Sequence, residues 1–309
     1  MGDDVEQDAG ARSATRWAGA DPTCAVAQAA VAVGDRWSLV ILREITRGHC
    51  RFDALVTELR ISRKVLTERL THLVEHGLLE RVAYQQSPVR HDYRLTPAGH
   101  AFVPVLVALQ DWGDRWLLGD GALSATSRHG APDAERVQAL VGRPVPAGLA
   151  LPSTTGGPRD VVAADRRATV VFAYPATGRP TPLPDGWADI PGAIGCTLEN
   201  RLFRDSFDLF TAADVAVQGV STQRPDEQRA FAEAEDIPFP LMSDADLELA
   251  AALRLPTFRA GGVVRLRRLV LVIGADRVVR AVRYPVDDIA DAVAWSLARS
   301  KRAPTDKRG

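Results

Sequence analysis

The chain has 309 residues, of which 46% are hydrophobic, with a formal net charge of −1 and three cysteines. This is enough apolar sequence for two cores, and the charge is too balanced for a polycationic nucleic-acid coat, though a local basic footprint is compatible with it. Cys24, Cys50 and Cys196 are too widely and irregularly spaced for a disulfide framework or a zinc signature. The longest strongly apolar run, Leu269 to Ile273, is too short for a bilayer, and the acidic start MGDDVEQDAG lacks a basic-then-apolar signal pattern. The expectation is a cytoplasmic protein with reduced thiols, no cofactor, no metal and no membrane association.

Residues 1–22 read as a disordered, charged leader. A domain is expected over residues 23–118. CAVAQAAVAV (24–33) is an Ala/Val-rich helix broken by Gly34, and Trp37 to Ile45 is a second, strongly apolar helix closed before Gly48. Within 51–77, Phe52, Leu55, Val56 and Leu59 mark the buried face of a short helix. Arg60 and Ile61 make a turn, and Ser62 is a fitting N-cap for the next helix. Leu66, Leu70 and Leu73 form the apolar back of that helix, while Lys64, Thr67, Glu68, Thr71 and Glu75 face the other way, as major-groove readout requires. A helical hairpin with a solvated outer face has the same pattern. Leu79 to Tyr84 and Val89 to Leu95 are strand-like around a polar turn, and a β-hairpin directly after this helix spells a winged helix. Arg81, Arg90, His91 and Arg94 are candidate phosphate contacts on the wing, interleaved with Glu80 and Asp92. Thr96-Pro97 starts a helix with Phe102, Val105, Leu106, Leu109, Trp112 and Trp116 along one side, a surface for a partner copy or for packing within the domain.

The segment Cys24 to Trp116 resembles the HxlR-type winged helix-turn-helix regulators. Its matching stretches are GDRWSLVILREI (34–45), RFDAL (51–55), ISRKVLTERLTHLVEHGLLER (61–81) and YRLTPAG (93–99). The resemblance implies a homodimer on a double-stranded DNA operator, with Arg51, Ser62, Arg63, Lys64, Thr67, Glu68, Thr71 and Arg90 as DNA-contacting candidates. It also makes Cys24 a candidate redox-sensing thiol, the alternative being a small apolar residue in an Ala-rich helix.

Residues 119–160 shift to Gly, Ala, Pro, Ser and Thr and read as a linker with a short helix near 133–141. From 161 to 301 strand and helix alternate. ATVVFAYP (168–175), VAVQGVST (215–222) and PFPLMSD (238–244) are strands, and 196–214, 226–235 and 246–253 are helices. A hairpin of 266–273 and 278–284 then precedes a helix at 287–298, and residues 302–309 read as a disordered tail. This order fits a thioredoxin-like sandwich. The expected whole is an α+β winged helix-turn-helix domain followed by an α/β thioredoxin-like domain.

Cys196 falls on the first turn of the 196–214 helix, where free N–H groups and the positive dipole end favour thiolate, and Arg268 or its neighbour Arg267 is the candidate cation beside it. The blocks GCTLENRLFRD (195–205), GVST (219–222), IPFPLMSD (237–244) and RLVLVI (268–273) resemble the peroxiredoxins, nearest to the bacterioferritin-comigratory type. By that resemblance Cys196 is the peroxidatic cysteine, Arg268 polarises the peroxide, Pro175 opens the active-site motif and Thr197 belongs to the same site. The chain departs from the pattern in three places. Ala193 replaces the hydroxyl residue three before the cysteine, residues 176–190 are inserted after Pro175, and Arg201 stands where a resolving cysteine is common. An oxidised Cys196 would then need an external thiol reductant, its dimer mate, Cys24 or Cys50. The function expected is a DNA-binding regulator that senses a hydroperoxide through Cys196. The alternatives are a one-cysteine thiol peroxidase carrying a DNA-binding domain, and a catalytically silent redoxin fold that only mediates oligomerisation.

Overall fold

The computed structural model describes residues 23–302. The leader expected over 1–22 and all but the first residue of the expected tail lie outside the described residues. Contacts divide the chain into two compact units: one ends at Ile45 and resumes over His49–His100, and the other comprises Thr46–Gly48 and everything from Ala101 onward.

The first unit contains α1 (Ala25–Val33), α2 (Arg36–Thr46), α3 (Phe52–Leu59), α4 (Arg63–Glu75), β1 (Leu79–Gln86) and β2 (Val89–Leu95), followed by the opening turn of α5 (Pro97–Trp116). Arg60 closes α3 in the left-handed conformation at φ 50°, which turns the chain into α4. Ile41, Leu42, Leu55, Leu66, Leu70 and Leu73 are fully or almost fully buried, as their helical spacing required. β1 and β2 pair antiparallel from Leu79–Leu95 to Gln86–Val89, with one irregularity after Ala83, and form the wing. Cys24 is the N-cap of α1 and not its first residue, and Val33 alone is buried along that helix.

In the second unit, residues 119–160 are folded in and do not act as a linker. α6 (Pro132–Gln138) and the short pair β3 (Ala150–Leu151) and β4 (Arg159–Asp160) lie here, and Ala125, Ala134, Val137, Val145 and Leu151 are buried. Gly- and Pro-rich composition marked the turns correctly, but small apolar residues between them supply core contacts. The remaining elements are β5 (Ala168–Ala173), α7 (Cys196–Asp205), α8 (Phe207–Ala212), β6 (Val215–Ser221), α9 (Pro225–Ala234), β7 (Leu241–Ser243), α10 (Glu248–Leu253), β8 (Thr257–Ala260), β9 (Val263–Leu266), β10 (Leu269–Gly274), β11 (Val279–Arg283) and α11 (Ile289–Ser300). Five strands form one sheet in the order β11-β10-β5-β6-β7, with β5, β6 and β7 parallel and β10 and β11 antiparallel, which is the thioredoxin-like arrangement. Every residue of β5 is buried, so its continuous apolar run reads as a central strand covered on both faces.

Two boundaries differ from expectation. The helix expected over 196–214 breaks at Ser206 into α7 and α8, which lets Phe203 and Phe210 turn into the same core with ring centroids 5.8 Å apart. The strand expected over 266–273 is interrupted at Arg267 and Arg268, and a separate hairpin, β8–β9, ends just before them. Phe172 stacks on Phe203 at 4.1 Å, and Gly219 on β6 faces this pair: a Cβ there would lie 2.7 Å from both the Phe172 ring and Leu241. Gly219→Ala should therefore destabilise the second unit by about 1–3 kcal/mol through overpacking. Denaturant unfolding followed by near-ultraviolet dichroism checks this, and an unchanged midpoint would show that the cleft yields.

Candidate functional site

Two sets of residues carry chemistry, one in each unit. In the first unit, the Ser62 hydroxyl accepts from Val65 N–H at 3.3 Å, so its side chain caps α4. Lys64, Thr67 and Glu68 are exposed along the helix front and Thr71 is half-buried, its hydroxyl accepting from Arg81 at 3.3 Å. Thr67 returns its hydroxyl to the Arg63 carbonyl at 2.9 Å, and Arg63 is paired with Asp53 at 2.6 Å and lies against the Phe52 ring. Arg51 is held between Asp92 (3.2 Å) and the Tyr84 face (4.3 Å). Arg90 is exposed next to the wing tip. The expected DNA-contacting residues thus separate into an open front at Lys64, Thr67 and Glu68, an exposed Arg90 on the wing, a Thr71 tied to Arg81, two arginines braced by their own unit, and one serine that serves the helix end. Cys50 is half-buried, and burial pushes its thiol above the ordinary range. Among the described residues, the one grouping of ligand-type side chains is Glu44, His49 and Glu58, with donor atoms within 4.8 Å of one another. Arg43 Nε already donates to Glu44 at 2.9 Å, and the group reads as an ion-pair cluster.

In the second unit the chain reaches Cys196 through Gly195, whose φ of 98° is one that residues with a side chain rarely adopt and whose notional Cβ would press on the Ile289 Cδ1 at 2.6 Å. Cys196 then opens α7, only 2% exposed. Its Sγ donates to the Ala193 carbonyl at 3.5 Å, and the Arg268 Nη2 donates to Sγ at 3.3 Å. The other contacts of Arg268 are the Ile194 carbonyl at 2.9 Å and the carboxylate of Glu199. The backbone N–H of Ala176, one residue past Pro175, also points to the sulfur. Thr197 is half-buried in the same first turn of α7. Tertiary folding thus brings Arg268 to Cys196 across 72 positions of sequence, whereas Arg267 turns away to Asp133 and to the carbonyls of Thr126 and Thr257.

Glu199 has no role in the expectations from sequence. It lies one helical turn after Cys196 and so on the same face, a signal the spacing did contain. It is fully buried, and burial pushes its carboxyl up to about 7 against the pull of Arg268. The thiol also departs from expectation: burial raises Cys196 above the ordinary range, with Arg268 opposing and Glu199 adding to the rise. Water exclusion outweighs the cation because that cation is shared with a neighbouring carboxylate. The inserted residues fold over this side of the site. Leu183, Trp187 and Ile190 pack with Ala176, Ala193 and Phe258, and Thr177 N–H is fixed to Gln223 at 2.8 Å. The hydroxyl missing at position 193 is thereby replaced by a closed apolar wall. The arrangement can hold a sulfur anion and donate a guanidinium hydrogen bond to an oxygen brought against it.

Glu199→Gln removes one negative charge from the group of three and leaves Arg268 to Cys196. Below about pH 7 protonation of Glu199 has the same effect in the native protein, while above it the ionised carboxylate opposes thiolate formation. The variant should therefore lower the thiol pKa, read as an acid-ward shift of the alkylation-rate profile of Cys196. A profile that stays in place would exclude Glu199 from control of the thiol.

Two family descriptions match the chain. HxlR-like helix-turn-helix covers residues 32–120, and the AhpC/TSA family covers residues 191–282. An uncharacterized HTH-type transcriptional regulator of Mycobacterium tuberculosis is 48% identical over 92 residues, 30% of this chain and 58% of that protein. A regulator of the same description from Synechocystis is 36% identical over 95 residues, 30% of this chain and 70% of its own length. The chain thus spans little more than half the length of the mycobacterial regulator. Among solved structures, peroxidoxin BcpB of Mycobacterium tuberculosis is 29% identical, with a TM-score of 0.43, over 52% of this chain and 96% of its own.

Proposed function

Because the chain belongs to the HxlR-like helix-turn-helix family through its first domain and carries an AhpC/TSA domain behind it, we propose that it is an operator-binding regulator whose DNA affinity is set by the oxidation state of Cys196. The observation that carries this reading is the buried Cys196–Arg268–Glu199 cluster in the same chain as a recognition helix with an exposed polar front. The step is a two-electron oxidation by a hydroperoxide. The Cys196 sulfur attacks one peroxide oxygen, an S–O bond forms as the O–O bond breaks, and the departing oxygen takes up the proton released by the thiol. The products are a sulfenic acid and an alcohol, or water when the oxidant is hydrogen peroxide. An external thiol returns Cys196 to the reduced state, since Arg201 occupies the place of a resolving cysteine and is paired with Glu235.

A homodimer fits the same reading. Val105, Leu109, Trp112 and Trp116 follow one another on α5 at steps of four, three and four residues, the spacing of an apolar seam, and all are about half exposed. Two copies joined along such seams would present two recognition helices to paired half-sites. Trp112→Arg should convert the dimer to monomer in sedimentation experiments and weaken operator binding with it. A variant that stays dimeric would place the interface elsewhere.

The function is tested by measuring operator binding and peroxide consumption on wild type and Cys196→Ser, each before and after treatment with hydroperoxide. Oxidation should change the affinity of wild type and leave Cys196→Ser unaffected. Sustained peroxide turnover with a thiol donor and unchanged DNA affinity would instead identify a peroxidase, which the Arg268–Cys196 contact also suits. On α4, Lys64→Ala and Thr67→Ala should each cost about 1–3 kcal/mol of binding where the residue reads a base edge. If Lys64 contacts phosphate, its loss should instead lower the salt slope by about one. Unaltered binding by both variants would move the contact surface off α4.

A further inference from the structure

α6 carries two buried ion pairs that no part of the proposed chemistry uses. Asp133, its second residue, accepts from Arg267 Nη1 at 3.0 Å, from the Tyr284 hydroxyl at 2.7 Å and from the Ser127 hydroxyl at 2.6 Å. Three residues later, and so on the same side of the helix, Arg136 grips Asp114 of α5 with its two terminal guanidinium nitrogens, Nη1 to Oδ1 at 2.7 Å and Nη2 to Oδ2 at 2.5 Å, and donates Nε to the Arg254 carbonyl at 3.1 Å. Side-chain exposure is 10% for both partners of the first pair, and 11% and 6% for Arg136 and Asp114. One turn earlier on α5, Gln110 donates to the Leu255 carbonyl at 2.9 Å. Arg267 is the peptide neighbour of Arg268, whose Nη2 lies 3.3 Å from the Cys196 sulfur. Direct contacts within the second unit therefore run from the thiol to α5 without a gap.

α5 belongs to both units. Its start is fixed in the first: the Thr96 hydroxyl donates to the Gly77 carbonyl at 2.5 Å, Gly99 N–H donates to the Thr96 hydroxyl at 3.1 Å, and a Cβ at Gly99 would lie 2.2 Å from the Leu78 carbonyl oxygen. Gln110 and Asp114 fix the later half in the second. Pro104 stands between these anchorages, with no N–H for the carbonyl of residue 100, at the position where a helix bends most readily.

We infer that α6 transmits the state of Cys196 to α5, through Arg267–Asp133 at one side chain and Arg136–Asp114 at another, with α5 bending at Pro104. This rests on the reading of Cys196 as the oxidant-sensitive thiol. When a hydroperoxide converts the thiol to a sulfenic acid, with the peroxide reduced to alcohol and the thiol proton taken by the leaving oxygen, an oxygen is added at a residue only 2% exposed. An oxygen on the side of Arg268 does not fit within the 3.3 Å between sulfur and nitrogen, so the guanidinium is displaced. Arg267 is joined to Arg268 by a single peptide, so whatever part of that displacement reaches the Arg268 main chain is passed to it directly. Buried ion pairs resist sliding because misalignment in a low-dielectric interior is costly. Asp133, and the short rigid helix that carries it, therefore move with Arg267, and Arg136 draws Asp114 along. Coupling carried by packed side chains, ion pairs and rigid elements is the physical form such communication takes.

The full-length chain is tested on an operator duplex selected by wild type, with affinities measured for reduced protein and for protein treated with one equivalent of hydroperoxide. Wild type should show an affinity ratio on the order of fivefold or more between the two states. The double variant Arg136→Gln/Asp114→Asn, which leaves no buried charge unpaired, and the milder Gln110→Ala should bring the ratio towards one. Sulfenic-acid labelling of Cys196 and the reduced-state affinity should remain as in wild type. The unfolding midpoint of each variant establishes that it is folded, and Gln110→Ala decides the matter should the double variant fail to fold. A wild-type ratio retained in the folded variants overturns the role of α6. A ratio of one in wild type whose Cys196 is fully labelled overturns the redox reading itself, and the transmission with it.

Discussion

Arg268 is a guanidinium almost entirely removed from water, and such a group persists only when its hydrogen-bonding positions are filled and its charge is answered. Glu199 answers the charge, the Ile194 carbonyl fills another position, and the Cys196 sulfur takes a third contact. Glu199 and Cys196 tie the guanidinium to α7, Ile194 ties it to the loop entering that helix, and Arg268 itself lies in the break between β9 and β10. The thiol site is thus the outcome of satisfying one buried cation.

That requirement also sets the electrostatics of the sulfur. A cysteine at a helix start next to an arginine would ordinarily be easy to ionise. Here the arginine is shared with a buried carboxylate, and the apolar wall made by Trp187, Ile190 and Ala193 keeps water away. One negative charge is stable opposite one guanidinium, and thiolate and carboxylate compete for that place. Burial and Glu199 thus both work against the thiolate, and Arg268 alone works for it.

The proposed control of operator binding by Cys196 calls for a mechanical relation between the two. Residues 119–160, rich in Gly and Pro, have a composition that suggests slack, yet the structure shows Asp133 and Arg136 committed to buried ion pairs on one short helix. α5 is likewise more than the closing helix of a winged helix, since its residues up to His100 are counted with one unit and those from Ala101 with the other. The proposed transmission makes use of the two features that composition and hydropathy describe least well.

Much was legible in the chain itself. Period-3.6 apolar spacing identified α2, α3 and α4, the Ser62 cap marked the start of the recognition helix, and the alternation of apolar strand with amphipathic helix identified the thioredoxin-like core. These features are local, determined by which residues lie three, four or two positions apart. The sequence also contained the placement of Cys196 at a helix start, because Gly195 and the following helix pattern adjoin it. Only the tertiary structure could decide that Arg268 meets the sulfur while Arg267 turns to Asp133, because two adjacent arginines are indistinguishable until the strand break directs them apart. Nor could spacing reveal that burial would raise the thiol, or that α6 would be clamped at both Asp133 and Arg136. Dehydration and ion pairing depend on groups 22, 72 and 134 positions apart, which only folding brings together.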